Sequence, residues 1–227
     1  MLDTFTKSIP MEDAPFRFPV QDIYKFASFN DGRRIAAGTI TSGRFRVGDE
    51  VVFYPSLKRS FIRSIEAFST AKRESAHQGE AVGFTLEEQI YIERGEIAGL
   101  ANEMPPEIST RIRVSLFWLG KHPLKMGKQY LLKLGTARVK VEVEEIIQVI
   151  NAADVTVDEE KKQIDLHDVA ECVLITQKAL AFDRTEILAE TSRFVIVDAY
   201  EICGGGIILE SLPDSQTKMR EEKQLRD

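Results

Sequence analysis

Turn residues punctuate this chain at short intervals, and few of the stretches between them carry a helical period. Asn30-Asp31-Gly32, Ser42-Gly43, Val47-Gly48-Asp49, Gln78-Gly79, Arg94-Gly95 and Lys125-Met126-Gly127 each supply the residue types that bend a backbone tightly. The runs they separate read as strands: residues 35–40, 50–54, 61–67, 80–86, 111–118, 129–134, 137–149, 163–176, 193–198 and 207–210. Val139, Val141 and Val143 alternate with Lys140, Glu142 and Glu144, so one face of that strand is core and the other is water. Many short strands at this spacing favour architectures that close or protect sheet edges. The fold class expected is all-β, built from antiparallel barrels.

At 227 residues the chain is long enough for two domains, each with its own core. The pattern breaks at Ala101-Asn102-Glu103-Met104-Pro105-Pro106-Glu107, where two adjacent prolines block ladder hydrogen bonds and fix the local backbone. That places one barrel over residues 15–103 and a second over 104–213. Residues 1–14 read as a leader into the first barrel, and residues 214–227 as a charged tail or linker.

A net charge of -6 and a pI near 5.3 argue against a general nucleic-acid partner, because phosphate affinity comes mainly from surplus Lys and Arg. No apolar run is long enough to span a bilayer, and residues 1–10 lack the zones of a signal peptide, so a cytoplasmic chain without a membrane partner is expected. The two cysteines, Cys172 and Cys203, lie far apart without a Cys-x-x-Cys pair. Buried, inert thiols are the expectation, with neither disulfide framework nor zinc site.

Pro15-Phe16-Arg17-Phe18-Pro19-Val20-Gln21-Asp22, then Ala37-Gly38-Thr39-Ile40-Thr41-Ser42-Gly43 and Val47-Gly48-Asp49, resemble the second domain of elongation factor Tu-like GTPases. Glu80-Ala81-Val82-Gly83-Phe84-Thr85-Leu86 and Ile92-Glu93-Arg94-Gly95-Glu96 resemble, in particular, the GTPase (large) subunit of sulfate adenylyltransferase. Phe117-Trp118-Leu119-Gly120 and Arg193-Phe194-Val195-Ile196-Val197-Asp198 are similar to that subunit's third domain. The resemblance implies two tandem translation-factor-type barrels, domain 2-like and domain 3-like. It also implies a GTPase domain in cis or in trans, and a catalytic subunit that forms adenylyl sulfate from ATP and sulfate. On that reading the barrels are a non-catalytic interaction and regulatory scaffold. Residues 2–5 resemble the end of the last GTPase-domain helix.

A GTPase of this type needs a Gly-x-x-x-x-Gly-Lys-Ser/Thr loop to cradle phosphates. The nearest imitation, from Gly120 to Lys128, has the wrong spacing between its glycines and is followed by Gln129, so it reads as a turn into a strand. The chain itself is therefore expected to hold no cofactor, with GTP and magnesium on a separate GTPase domain.

Five residues are candidates for a partner or domain interface. Phe16, Arg17 and Phe18 form either a docking strand or simply the first barrel strand, with Pro19 tolerated at an edge. Arg94 either pairs with a carboxylate or phosphate or sits in a charged hairpin turn. Trp118 is an interface anchor or a core residue. His77, His122 and His167 are scattered, and Gly204-Gly205-Gly206 reads as a bend in a closing strand. Glu87-Glu88, Glu144-Glu145, Arg44 and Arg46 read as solvated charges. No nucleophile, base and orienter stand out as a set. The alternative reading is an RNA- or ribosome-associated barrel module.

Overall fold

The computed structural model describes residues 14–25, 32–66, 73–151, 157–158 and 161–213. The leader and tail expected at the two ends fall outside these residues, except for residue 14. Two compact units divide between Pro105 and Pro106. Among the described residues there are strands and a single 3-10 turn, Ala189–Thr191, and no α-helix.

The first unit contains β1 (Phe18–Lys25), β2 (Arg34–Thr39), β3 (Arg44–Arg46), β4 (Glu50–Tyr54), β5 (Lys58–Glu66), β6 (Ser75–His77), β7 (Ala81–Leu86) and β8 (Ile97–Leu100). Six of them close into an antiparallel barrel in the order β1-β2-β7-β5-β4-β8, and β3 pairs with β6 as a separate ribbon. Alternation drives the closure: along β5, Ser60, Ile62 and Ile65 turn inward while Arg59, Phe61 and Arg63 face water. Inside, Phe16, Phe18, Phe45, Phe53 and Phe84 are fully buried. Phe18 and Phe84 rings meet at 5.0 Å and Phe16 and Phe45 at 5.1 Å, tilted rather than stacked face to face, as ring quadrupoles prefer. Gly43 (φ +67°) turns the chain where a Cβ would lie 2.7 Å from the backbone of Phe16, so only glycine fits.

The second unit contains β9 (Glu107–Trp118), β10 (Leu124–Lys125), β11 (Gln129–Leu134), β12 (Ala137–Asn151), β13 (Val157–Asp158), β14 (Gln163–Ile164), β15 (Asp168–Phe182), β16 (Arg193–Asp198) and β17 (Glu201–Ser211). The order β11-β16-β17-β9-β15-β12 closes on itself through β11 and β12, while β13 extends β12 outward and β10 pairs with β14. Val139, Val141 and Val143 are buried as their alternation requires. A Cβ on Gly206 would lie 2.3 Å from the Ser115 carbonyl oxygen, so β17 needs glycine to approach β9 closely. The expectation of two antiparallel barrels, one after the other along the chain, is met.

One expected strand is divided. Residues 163–176 form β14 and the start of β15, separated by a turn at residues 165–167 in which His167 adopts φ +71°. The buried Asp168 carboxylate ties that turn, accepting from the Asp165 amide at 2.7 Å and from the Lys161 ammonium at 2.5 Å.

Candidate functional site

Residues 15–17 lead into β1 with two faces of different chemistry. Phe16 and Phe18 point into the aromatic core, and Arg17, on the opposite side, is also fully buried. Its Nη1 donates to the Phe16 carbonyl at 2.9 Å and its Nη2 to the Met104 carbonyl at 2.7 Å. The Phe16 amide donates to Glu103 Oε2 at 2.5 Å, and the Arg17 backbone bonds both Ser42 and Thr41. A buried guanidinium is stable only where its donors are satisfied, and the chain leaving the first barrel provides that satisfaction. Burial raises the nearby Tyr54 phenol above its ordinary pKa, with Arg17 opposing the shift.

Trp118 ends β9 with its ring inside the second barrel, 1% exposed. Its Nε1 donates to the His122 carbonyl at 2.8 Å, and its ring meets Tyr130 edge-on at 6.0 Å. The Tyr130 hydroxyl accepts from the Lys125 amide at 2.9 Å, and burial lifts that phenol too. Gly120 and Gly204 lie close to the indole, each where a Cβ would come within 3 Å of it.

Arg94 is exposed, in the segment between β7 and β8. This segment is fastened to β1: the Gly95 amide donates to Val20 at 3.0 Å, and the Val20 amide to Glu96 at 2.8 Å. Of the five candidate interface residues, the structure thus brings Arg94 beside the strand that carries Phe18. Phe16, Phe18 and Trp118 face the interiors of their own units, and Arg17 is buried on the side away from the aromatic core.

Two neighbouring cavities lie in the first unit, and of the five candidates only Arg94 lines either of them. One, of about 500 Å³, is lined by Arg33, Arg34 and Arg63, by Glu66, Glu87 and Glu88, and by apolar residues that include Ile23, Ile90 and Ile92. Arg33 and Glu66 stand 3.5 Å apart, and the Ser64 and Thr85 hydroxyls meet at 2.5 Å. The second, of about 480 Å³, runs between β1 and the Arg94 segment. Both are assembled from strands distant in sequence, so no local motif announces them. Cys172 is buried, and its thiol is pushed up to about 12 by desolvation, which removes it as a nucleophile. Among the described residues no three of His, Cys, Asp and Glu converge on a point where a metal ion would sit, and no helix is long and apolar enough to cross a membrane.

Residues 111–209 match the GTP-eEF1A C-terminal domain-like family. The bifunctional enzyme NodQ of Rhizobium tropici is 32% identical over 197 residues, covering 87% of this chain and 30% of that protein. Sulfate adenylyltransferase subunit 1 of Cellvibrio japonicus (strain Ueda107) is 33% identical over 207 residues, covering 89% of this chain and 42% of that protein. The crystal structure of Sup35 complexed with GDP superposes with a TM-score of 0.79 at 18% identity, over 89% of this chain and 49% of that one, and so shares the fold. This chain spans less than half the length of each of these relatives.

Proposed function

We propose, from the premise that this chain is a homologue of the sulfate adenylyltransferase subunit 1 and NodQ proteins and carries their translation-factor-type barrels, that it serves as the non-catalytic scaffold of a sulfate-activating assembly. In this reading the barrels link a GTPase domain, in cis or in trans, to the catalytic subunit of sulfate adenylyltransferase. GTP and magnesium reside on the GTPase domain, and adenylyl sulfate forms on the catalytic subunit. The observation that carries the proposal is the continuity of the match, which covers 89% of the chain.

Closed barrels suit this role because a packed core moves as a body instead of deforming continuously, so a change at one contact is passed on as a displacement. Such a scaffold transmits only the difference between its contacts in two states. Arg94 is the exposed one of the five candidate contacts, while Phe16, Phe18 and Trp118 support the barrels from within.

The test is to mix the purified chain with a sulfate adenylyltransferase catalytic subunit, and separately with a GTPase domain of subunit 1, and to follow complex formation by isothermal titration calorimetry. Binding to at least one of them is expected, with neither GTP hydrolysis nor adenylyl sulfate synthesis by the chain alone. Turnover by the isolated chain, or silence with both partners, overturns the proposal.

A further inference from the structure

Strand β1 is paired on both sides for only part of its length. Against β8 it pairs through Phe18 and Pro19 alone, whereas against β2 it continues to Lys25. Proline has no N–H to offer a ladder, and a register shift between Val20 and Asp22 then twists the strand away. The Val20 bonds to Gly95 and Glu96 are the last that the β8 side supplies, and residues 21, 22, 24 and 25 are exposed.

The state of one amide shows which way this edge faces. The Ile23 N–H, instead of joining a strand, donates to Asp22 Oδ1 at 2.8 Å. A side-chain oxygen from the preceding residue is a weak local substitute for a ladder acceptor, and an incoming strand carbonyl can displace it. Beside this edge runs the cavity of about 480 Å³, bounded across from β1 by Tyr91, Ile92, Glu93 and Arg94. The far wall is held in place by Lys58, whose ammonium donates to the Tyr91 carbonyl at 2.5 Å and lies 5.1 Å from the ring centroid.

Charge indicates what fits there. Lys25, Arg34 and Arg94 line the trough without an ion pair among the described residues, against the carboxylates of Asp22 and Glu93. Three cations against two carboxylates leave a positive surplus, and Tyr91, 62% exposed, bounds the trough with apolar surface. A free edge with a positive trough suits a strand whose side chains on one face are acidic.

We propose that residues 21–25 accept an additional antiparallel or parallel strand from the partner protein, an extended acidic segment whose carboxylates lie against Lys25, Arg34 and Arg94. This rests on the scaffold reading above, with the catalytic subunit of sulfate adenylyltransferase as that partner. Main-chain hydrogen bonds from Ile23 supply affinity, and the three cations set the choice of segment.

Amide hydrogen exchange of the full chain, with and without the catalytic subunit, reads the edge directly. Protection is expected at residues 21–25 and 91–94 on binding. The exposed double substitution Lys25→Glu and Arg94→Glu should weaken binding about tenfold or more, since like charges across an interface repel, while leaving exchange of the free barrel unchanged. Binding with unaltered exchange at residues 21–25, insensitive to the charge reversals, overturns the strand-addition proposal and leaves the scaffold reading intact. Absence of binding to the catalytic subunit removes the edge proposal, and silence with the GTPase domain as well removes the scaffold reading.

Discussion

The Arg17 guanidinium donates to the Met104 carbonyl at 2.7 Å, joining the residue just ahead of β1 to the last residues of that unit. Because Arg17 and Phe16 are wholly buried, loss of the Arg17 donors takes from the Phe16 carbonyl a partner that water does not readily replace. Arg17→Met is expected to destabilise the first unit by about 1–3 kcal/mol, the cost of a buried acceptor left without its donor. Urea unfolding measures it, and faster amide exchange at residues 103–104 locates the damage.

Glycine at 206 is required by contact rather than by backbone conformation. Gly206→Ala drives a methyl to 2.3 Å from the Ser115 carbonyl oxygen, so β17 and β9 must separate. Overpacking of this kind costs about 1–3 kcal/mol. Gly32→Ala, which meets nothing within 4 Å, is the control and should be nearly neutral. Thermal unfolding of the two variants, side by side, distinguishes them.

Strands β4, β11 and β16 were legible to the residue, because each lies between turn residues and supplies a run of Val, Phe, Tyr, Leu or Ile. Strand β8 was not. Its four residues Ile97, Ala98, Gly99 and Leu100 are all buried and so show no alternation, and two are too small to signal a strand. The side chain of Asp168 divided the run at residues 163–176, and long-range burial of a carboxylate leaves no local mark. Phe16, Phe18 and Trp118 were open to either reading because aromatic residues serve both cores and interfaces. The trough beside β1 depended on a segment some seventy residues away, which no spacing along the chain encodes.

Glu80 makes the first unit sensitive to acid. Two Arg73 hydrogen bonds at 2.7 and 2.8 Å hold its carboxyl below the ordinary value of 4.5, and the His77 amide adds to the effect. A carboxyl whose folded pKa is lowered contributes stability that is present above the unfolded pKa and lost as pH falls through the folded one. Stability should therefore decline as pH drops below about 4.5, and Glu80→Gln should flatten that limb. Both groups are about a third exposed, so the contribution is about 1 kcal/mol or less. Urea midpoints measured across pH for the wild type and Glu80→Gln check it.

Cys172 should be silent towards thiol reagents in the native state. Its thiol, fully buried and raised to about 12, carries almost no thiolate at neutral pH. Alkylation followed by peptide mass spectrometry is expected to modify it only after unfolding in denaturant. Labelling of Cys172 in the folded protein would show that the second barrel opens more readily than its core packing implies.

The most direct measurement of the central claim is a calorimetric titration of the purified chain with the sulfate adenylyltransferase catalytic subunit and with a subunit 1 GTPase domain, paired with GTP-turnover and adenylyl sulfate assays of the chain alone. The scaffold account predicts saturable binding to at least one partner and no turnover. Heats indistinguishable from dilution with both partners, or nucleotide hydrolysis by the isolated barrels, would contradict it.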